Sequence, residues 1–294
     1  GTDLTITDVS NTGNVDQTIT AKTGNVTVTN MDAGTTGDVT ATATAGNLVI
    51  GSGGIDFTEN NTVTLGASGT ITGAGLTTVS FTQGTKVFNT GTASIGTLSI
   101  TGTGSVLNGT GDVTVTSGMT FTRGTISGTG TLTTNSGVTT TLGSGNWADL
   151  LNGTWDNYGT VNFVGAGGVD FRMSNSAVFN NKSGANFNFN SCSGCDITTS
   201  GTATFNNAGT VTQSGSASSI SVSSFSNTGT VDVTGGTLTL TTGGTDTGNY
   251  TVSSGATLTF SGGTRDLNSG VSISGAGTFS NAGSTVNVNT GSAI

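Results

Sequence analysis

Short blocks in which apolar and hydroxyl residues alternate recur along the whole chain, and no other feature constrains the fold as much. Examples lie at residues 4–7, 26–29, 39–44, 113–116 and 238–241. Alternation with a period of two is typical of a β-strand that buries one face. Gly, Asn and Ser separate the blocks and supply turns. The pattern therefore predicts an all-β chain of short strands.

The glycine and proline contents indicate how these strands pair. The 294 residues include 51 Gly and no Pro. Proline cannot donate a hydrogen bond to a β-ladder and is tolerated mainly in edge strands and bulges. Gly and Asn adopt the positive φ angles that tight corners require. The composition favours a ladder in which each strand has a neighbour on both sides.

A longer repeat is marked by an aromatic residue followed by Asn and Gly. It begins at Trp155, Phe179, Phe205, Phe225 and Phe279. The first four copies follow one another with a period of roughly 20–25 residues, and several short strands within such a period are typical of a solenoid.

Four phenylalanines at eight-residue intervals indicate how one coil is divided. They are Phe163, Phe171, Phe179 and Phe187. If eight residues form one strand and one corner, three such units close a coil and place Phe187 above Phe163. We therefore predict a parallel, three-faced β-helix whose core stacks the following aromatic residues: Trp155, Phe163, Phe171, Phe179, Phe187, Phe205, Phe225 and Phe279.

The repeats extend through the whole sequence, so we expect one continuous solenoid over residues 1–294. No Thr occurs between Thr160 and Thr198, where Asn, Phe and Ser dominate. The alternation persists there, which predicts wider coils at residues 161–197 rather than a domain boundary.

Residues 235–291 resemble the repetitive passenger regions of filamentous-haemagglutinin-like and autotransporter-like bacterial surface adhesins. The blocks at residues 205–211, 12–15 and 23–26 are similar to them as well. This resemblance rests on the kind of repeat and on its period. It implies a right-handed parallel β-helix, secretion to the cell surface or an extracellular fibre, and a role as stalk, fibre or adhesin. It implies no catalytic residue.

Several functions conflict with the composition. The chain has no His, which excludes Ser-His-Asp and Cys-His catalysis and imidazole metal sites. Six Lys and Arg against fifteen Asp and Glu give a net charge of −9, so nucleic acid is not an expected partner. No apolar run is long enough to span a membrane. We expect no cofactor and no enzymatic activity.

Cys192 and Cys195 form the one close thiol pair. The thioredoxin-like context of a redox motif is absent, and a zinc site would need further ligands. A local disulfide across a corner is the favoured interpretation, and two free stacked thiols remain the alternative.

The carboxylates are scattered, which is typical of solvated turns. Asp149, Asp156 and Asp170 would have to share one exposed face to support a polysaccharide-cleaving β-helix. The similar segments at residues 53–57 and 167–171 predict Asp-stabilised turns, with a calcium site as the alternative.

Three aromatic residues cluster near the middle of the chain. The spacing of Trp155 predicts a place in the core, whereas Trp147 and Tyr158 are candidates for contact with glycans. An exposed aromatic ring offers an apolar face on which a sugar can stack.

The leading hypothesis is a non-enzymatic structural repeat protein. Strand-like blocks begin and end the sequence without a capping segment, and open β-edges can pair with further strands. We therefore expect self-association end to end into a filament, or continuation in a longer solenoid. The alternatives are a carbohydrate-binding or polysaccharide-cleaving β-helix and an ice-binding solenoid.

Overall fold

The computed structural model describes residues 3–10, 13–143, 147–190 and 193–289. The described residues are almost entirely β-strands and turns, with one 3₁₀ turn at Ala74–Leu76. The chain divides into two compact units, Gly1–Asn135 and Ser136–Ile294. Each unit is a stack of parallel coils. The single continuous solenoid expected from the sequence stays a prediction.

The strands of the first unit vary in length because some continue around a corner into the next face. They are β1 (Leu4–Ile6), β2 (Val9–Ser10), β3 (Gln17–Ala21), β4 (Val26–Asp32), β5 (Val39–Ala43), β6 (Leu48–Ile55), β7 (Thr62–Ala67), β8 (Thr70–Thr72), β9 (Thr78–Asn89), β10 (Thr92–Asn108), β11 (Asp112–Phe121), β12 (Gly124–Ser127) and β13 (Thr131–Thr134).

Three parallel ladders run through this unit. The first pairs Leu4 with Val26, and Val26 with Leu48, each time one coil of about 22 residues later. The second pairs Val9 with Met31. The third pairs Gln17 with Val39. Three ladders with a common period define a three-faced coil.

The strands of the second unit are shorter and more regular. They are β14 (Thr139–Gly143), β15 (Ala148–Leu151), β16 (Thr154–Asn157), β17 (Thr160–Val164), β18 (Ala166–Ser174), β19 (Ala177–Asn181), β20 (Asn186–Phe189), β21 (Ser193–Ser200), β22 (Ala203–Asn207), β23 (Thr210–Gln213), β24 (Ala217–Ser221), β25 (Ser224–Asn227), β26 (Thr230–Val233), β27 (Thr237–Leu240), β28 (Gly244–Asp246), β29 (Asn249–Val252), β30 (Thr257–Phe260), β31 (Thr264–Leu267), β32 (Ile273–Ser274), β33 (Thr278–Asn281) and β34 (Thr285–Val288).

In this unit most strands pair in parallel with the strand three positions later in the chain, as β15 does with β18 and β18 with β21. Strands β16, β19 and β22 form a second ladder, and β17, β20 and β23 form a third. The prediction of an all-β, parallel solenoid is confirmed, with about 22 residues per coil. Its right-handed sense stays a prediction.

The predicted stacking of Phe187 on Phe163 is wrong by two positions. Phe163 pairs with Phe189, and Phe187 pairs with Val161. The coil between them is two residues longer than three eight-residue units. Phe163, Phe171 and Phe179 keep the eight-residue spacing, whereas ten residues separate Phe179 in β19 from Phe189 in β20.

Coil length changes along the second unit. In the ladder of β16, β19, β22 and β25, the partners Asn157 and Asn181 are 24 positions apart. The next separation, from Asn181 to Asn207, is 26, and the one from Asn207 to Asn227 is 20. The Asn- and Phe-rich segment therefore has longer coils than the segment that follows it.

The aromatic residues lie where the alternation points inward. Trp155, Phe179, Phe205 and Phe225 are successive partners in one ladder and are fully buried. Phe163, Phe171 and Phe187 are fully buried in the same core. Phe279 differs, because it is only partly buried, although its ring lies 5.0 Å from that of Phe260.

Gly73 shows why the corners need glycine. Its φ angle is +128°, and a Cβ atom there would lie 2.1 Å from the carbonyl oxygen of Ile50 in the preceding coil. A left-handed backbone and close approach between coils both require a residue without a side chain.

Candidate functional site

A surface groove of about 390 Å³ lies on the second unit. It crosses three paired strands, β15, β18 and β21. The residues that line it are Asp149, Leu151, Arg172, Ser174, Asn175, Thr198, Thr199 and Ser200.

Strand register places the groove residues side by side. Asp149 pairs with Arg172, and Arg172 pairs with Thr198. Their chain neighbours Leu150, Phe171 and Ile197 are fully buried. Because side chains alternate along a strand, Asp149, Arg172 and Thr198 face outward.

A two-pronged ion pair occupies the groove. The Nε atom of Arg172 lies 2.5 Å from Oδ1 of Asp149, and its Nη2 atom lies 2.6 Å from Oδ2. The hydrogen bond to Asp149 is the main cause that raises the pKa of Arg172. Bidentate pairing fixes the orientation of the guanidinium plane.

Trp147 extends this arrangement at the start of β15. Its side chain is 52% exposed, whereas the other tryptophan, Trp155, is fully buried. The guanidinium carbon of Arg172 lies 4.3 Å from the Trp147 ring centroid, which is a cation–π contact. Asp149 therefore holds Arg172, and Arg172 holds one side of the exposed ring.

The same face carries two further carboxylates. Asp170 and Asp196 are partners in the β18–β21 ladder. Burial raises the pKa of Asp170, and the charge of Asp196 raises it further. Asp196 is stabilised by Ser219, whose backbone nitrogen and hydroxyl lie 2.8 and 2.7 Å from its Oδ1.

Tyr158 belongs to a separate but similar group. It directly follows β16 and is 45% exposed, and the Lys182 Nζ atom lies 5.7 Å from its ring centroid. Lys182 is also 2.9 Å from Oδ2 of Asp156. Asp156 and Tyr158 thus belong with the β16–β19 ladder, away from the one that carries Asp149 and Asp170.

The two predicted Asp turns have different outcomes. Asp56 forms one, since its Oδ1 accepts hydrogen bonds from the backbone nitrogen and hydroxyl of Thr58 at 2.8 and 2.7 Å. The turn predicted at Asp170 is wrong, because Asp170 lies within β18 and pairs with Asp196.

Cys195 is fully buried and is not a free thiol. Its predicted partner, Cys192, lies outside the described residues, so the pairing itself stays a prediction.

Among the described residues, no group of three or more His, Cys, Asp or Glu side chains is placed to hold a metal ion. That part of the chain also contains no helix long and apolar enough to cross a membrane.

A row of buried asparagines was missed in the sequence. Asn157, Asn181, Asn207 and Asn227 are almost completely buried and succeed one another in the β16–β19–β22–β25 ladder. Each lies two positions after the aromatic residue of its repeat. Two residues at this spacing along a strand share a face, so the spacing was the available signal.

Two buried cations were also missed. Lys86 and Arg265 are both fully buried. Arg265 pairs with Asp246 of the preceding coil, at 2.5 Å, and not with its sequence neighbour Asp266.

Comparison of the chain with protein-family models, curated proteins and solved structures finds no match.

Proposed function

We propose that this chain is a non-enzymatic structural segment of a secreted bacterial surface protein. In this role it acts as a stalk, fibre or adhesin of the filamentous-haemagglutinin-like or autotransporter-like kind. The observation that carries the proposal is the stacking of like side chains in successive coils. Catalysis does not require such repetition, whereas a load-bearing protein gains cohesion from it at every coil.

The asparagine row supports this role through hydrogen bonds between coils. The Nδ2 atom of Asn157 lies 2.9 Å from Oδ1 of Asn181. The next two links, Asn181 to Asn207 and Asn207 to Asn227, are both 2.8 Å. Each amide thus joins its coil to the next one, and buried polar networks of this kind are strong when fully paired.

The same amides also hold the backbone of the following coil. Asn181 donates to the carbonyl oxygen of Thr210 at 3.0 Å, and Asn207 donates to that of Thr230 at 2.9 Å. The row therefore fastens two faces of the solenoid, because Thr210 and Thr230 begin strands of the neighbouring ladder.

An aromatic column runs beside the asparagines. The ring centroids of Phe179 and Phe205 are 4.9 Å apart, and those of Phe205 and Phe225 are 5.3 Å apart, both in edge-on geometry. Such pairs contribute about 0.5–1.5 kcal/mol beyond their buried area. Separating two coils would break the backbone ladders, the amide row and the ring contacts together.

Mechanical unfolding tests the proposal. The full chain is extended from its two ends by atomic force microscopy, beside the variants Asn181→Ala and Asn180→Ala. We expect resolved force peaks that fall in Asn181→Ala and persist in Asn180→Ala, whose amide faces outward. Featureless extension of the unmodified chain at low force would contradict a load-bearing role.

Cellular location tests the second half of the proposal. Antibody labelling and protease treatment of intact producing cells should find this chain outside the cell. Recovery of the protein only after cell lysis would contradict it. The end-to-end assembly expected from the sequence stays a prediction, which electron microscopy of the native protein can test.

A further inference from the structure

We propose that the groove beside Trp147 binds a neutral saccharide, with Trp147 as its stacking platform and the Asp149–Arg172 pair as its hydrogen-bonding partner. This inference goes beyond the structural role and is independent of it. A stalk without a glycan site would still be a stalk.

Trp147 is half exposed to solvent. The unit packs most of its other aromatic side chains, such as Trp155 and Phe171, completely into the core. A tryptophan that is half exposed leaves a large apolar surface in water, which costs free energy unless a ligand covers it. The C–H face of a pyranose ring is flat and apolar, and it matches an indole face.

The side chains beside the groove are already held in place before a ligand binds. The Trp147 ring contacts the Arg172 guanidinium, which is itself fixed by two hydrogen bonds to Asp149. Little side-chain freedom remains to be lost when a ligand binds, and this lowers the entropic cost of association.

The groove also offers hydrogen-bond donors and acceptors to a ligand. A guanidinium has five N–H donors, and Asp149 takes two of those of Arg172. The other three N–H groups have no hydrogen-bond partner among the described protein residues, and the Arg172 side chain is 38% exposed. Thr198, Thr199 and Ser200 line the same groove, where the Thr199 hydroxyl donates to the carbonyl oxygen of Gly201 and the Ser200 hydroxyl pairs with that of Ser174. A serine or threonine hydroxyl in such a bond can still accept a further hydrogen bond. Adjacent sugar hydroxyls both donate and accept, and so they fit this mixed set.

Charge decides between neutral and acidic saccharides. Arg172 is neutralised by Asp149, while Asp170 and Asp196 add two carboxylates to the same face. The whole chain also carries a net charge of −9. A uronate or sulfated sugar would be repelled, whereas a neutral sugar meets hydrogen-bonding groups without that repulsion.

Intrinsic fluorescence offers a direct test, because the chain has only two tryptophans and Trp155 is shielded from solvent. The full chain is titrated with six-unit gluco-, xylo-, manno- and chito-oligosaccharides, and with oligogalacturonate as the acidic comparison. We expect a saturable blue shift with at least one neutral oligosaccharide and binding at least tenfold weaker with oligogalacturonate.

Variants assign the signal to the groove, with affinity measured by calorimetry. Trp147→Ala and Arg172→Met should each weaken binding at least tenfold. Tyr158→Ala should bind as the unmodified chain does, because Tyr158 is an exposed aromatic residue beside a cation but outside the groove. Circular dichroism of each variant establishes that it is folded.

Three results would overturn the proposal. One is the absence of saturable binding across the neutral panel at millimolar concentration. Another is equal affinity in folded Trp147→Ala. The third is tighter binding of oligogalacturonate than of every neutral sugar. None of these bears on the mechanical test, so the two proposals fail separately.

Discussion

At the residue scale, the two buried cations are held by atoms of neighbouring coils. The Nζ atom of Lys86 donates to the carbonyl oxygens of Glu59 and Asn61 at 3.0 and 3.1 Å, and to Oδ1 of Asn61 at 2.9 Å. Arg265 donates to Asp246, to the Tyr250 hydroxyl and to the Phe225 carbonyl oxygen. Each cation thereby ties its coil to an earlier one.

Lys86 should make stability depend on alkaline pH. Burial lowers its pKa from 10.5 to about 8, against the opposing charges of Asp56, Glu59 and Asp38. The folded chain therefore loses this proton at a lower pH than the unfolded chain. Its contribution to the free energy of unfolding rises as pH increases from about 8 to 10.5 and is level below 8.

Urea unfolding of the unmodified chain and of Lys86→Met across this pH range measures that contribution. Titration of the remaining groups cancels in the difference between the two proteins. The difference should shift in favour of the unmodified chain as pH rises. A constant difference, or one that shifts the other way, would show that the Lys86 pKa is not lowered.

Removing Arg265 should destabilise the second unit strongly. Arg265→Met leaves the Asp246 carboxylate buried without its ion-pair partner, since both side chains are fully buried. We expect a loss of about 3–5 kcal/mol in the free energy of unfolding. Adding Asp246→Asn, which removes the charge, should restore part of it. A loss below about 1 kcal/mol for the single variant would contradict the buried pair.

The sequence predicts which residues face inward but not which charges meet. Strict alternation places Arg265 on the inner side of β31, yet Asp246 lies 19 residues earlier, and only the coil length brings the two together. Coil length varies between repeats, so an ion pair across coils could not be read from the sequence. The same reason hid the pairing of Arg172 with Asp149.

At the element scale, each short strand is defined by its partners in the coils before and after it. In β22 the inward residues Phe205 and Asn207 continue a ring column and an amide row, while the outward Asn206 contacts Asn180 at 2.9 Å. Asn206 and Asn207 are neighbours in sequence and differ mainly in burial. This strand therefore separates the contribution of a buried amide from that of an exposed one.

Asn207→Ala should cost about 1–3 kcal/mol of unfolding free energy. The substitution removes a donor to Asn227 and leaves the Asn181 amide without its acceptor in a buried setting. Asn206→Ala, on the same strand, should cost no more than about 0.5 kcal/mol. Chemical denaturation measures both, and equal losses would contradict the distinction between inner and outer rows.

Phe179→Ala should be more damaging than either asparagine variant. Its ring contacts those of Trp155, Phe171, Phe187 and Phe205. Truncation of a fully buried phenylalanine costs about 3–5 kcal/mol. The matched control is Val178→Thr, which faces outward from β19 and should change stability by less than about 0.5 kcal/mol. Similar losses in the two variants would mean that the inward face is assigned wrongly.

The element scale also shows where prediction from sequence stops. Strand type and the common ladder of Trp155, Phe179, Phe205 and Phe225 follow from alternation and spacing. The register of Phe163 does not, since an even eight-residue spacing suggests Phe187 and backbone pairing selects Phe189. The two extra residues lie between Phe179 and Phe189. The composition of residues 161–197 predicts wider coils, but it does not show where in the coil the added residues lie.

At the scale of the whole molecule, each unit is a stack in which coils contact mainly the coils before and after them. Stability in such a stack is approximately a sum of coil terms and nearest-neighbour terms. Most of the second unit's inward positions are apolar or amide side chains, so these neighbour terms are ladder bonds, ring contacts and the asparagine row. The groove near Trp147 occupies the outer side and leaves this arrangement intact.

Native-state hydrogen exchange of the intact chain, compared with Asn207→Ala, tests most directly whether each coil is held by its neighbours. The account predicts lower protection in β22, which carries the substitution, and a comparable reduction in β19 and β25 on either side. Loss of protection confined to β22 would contradict it, because coils that open independently are not held together by the stacked rows.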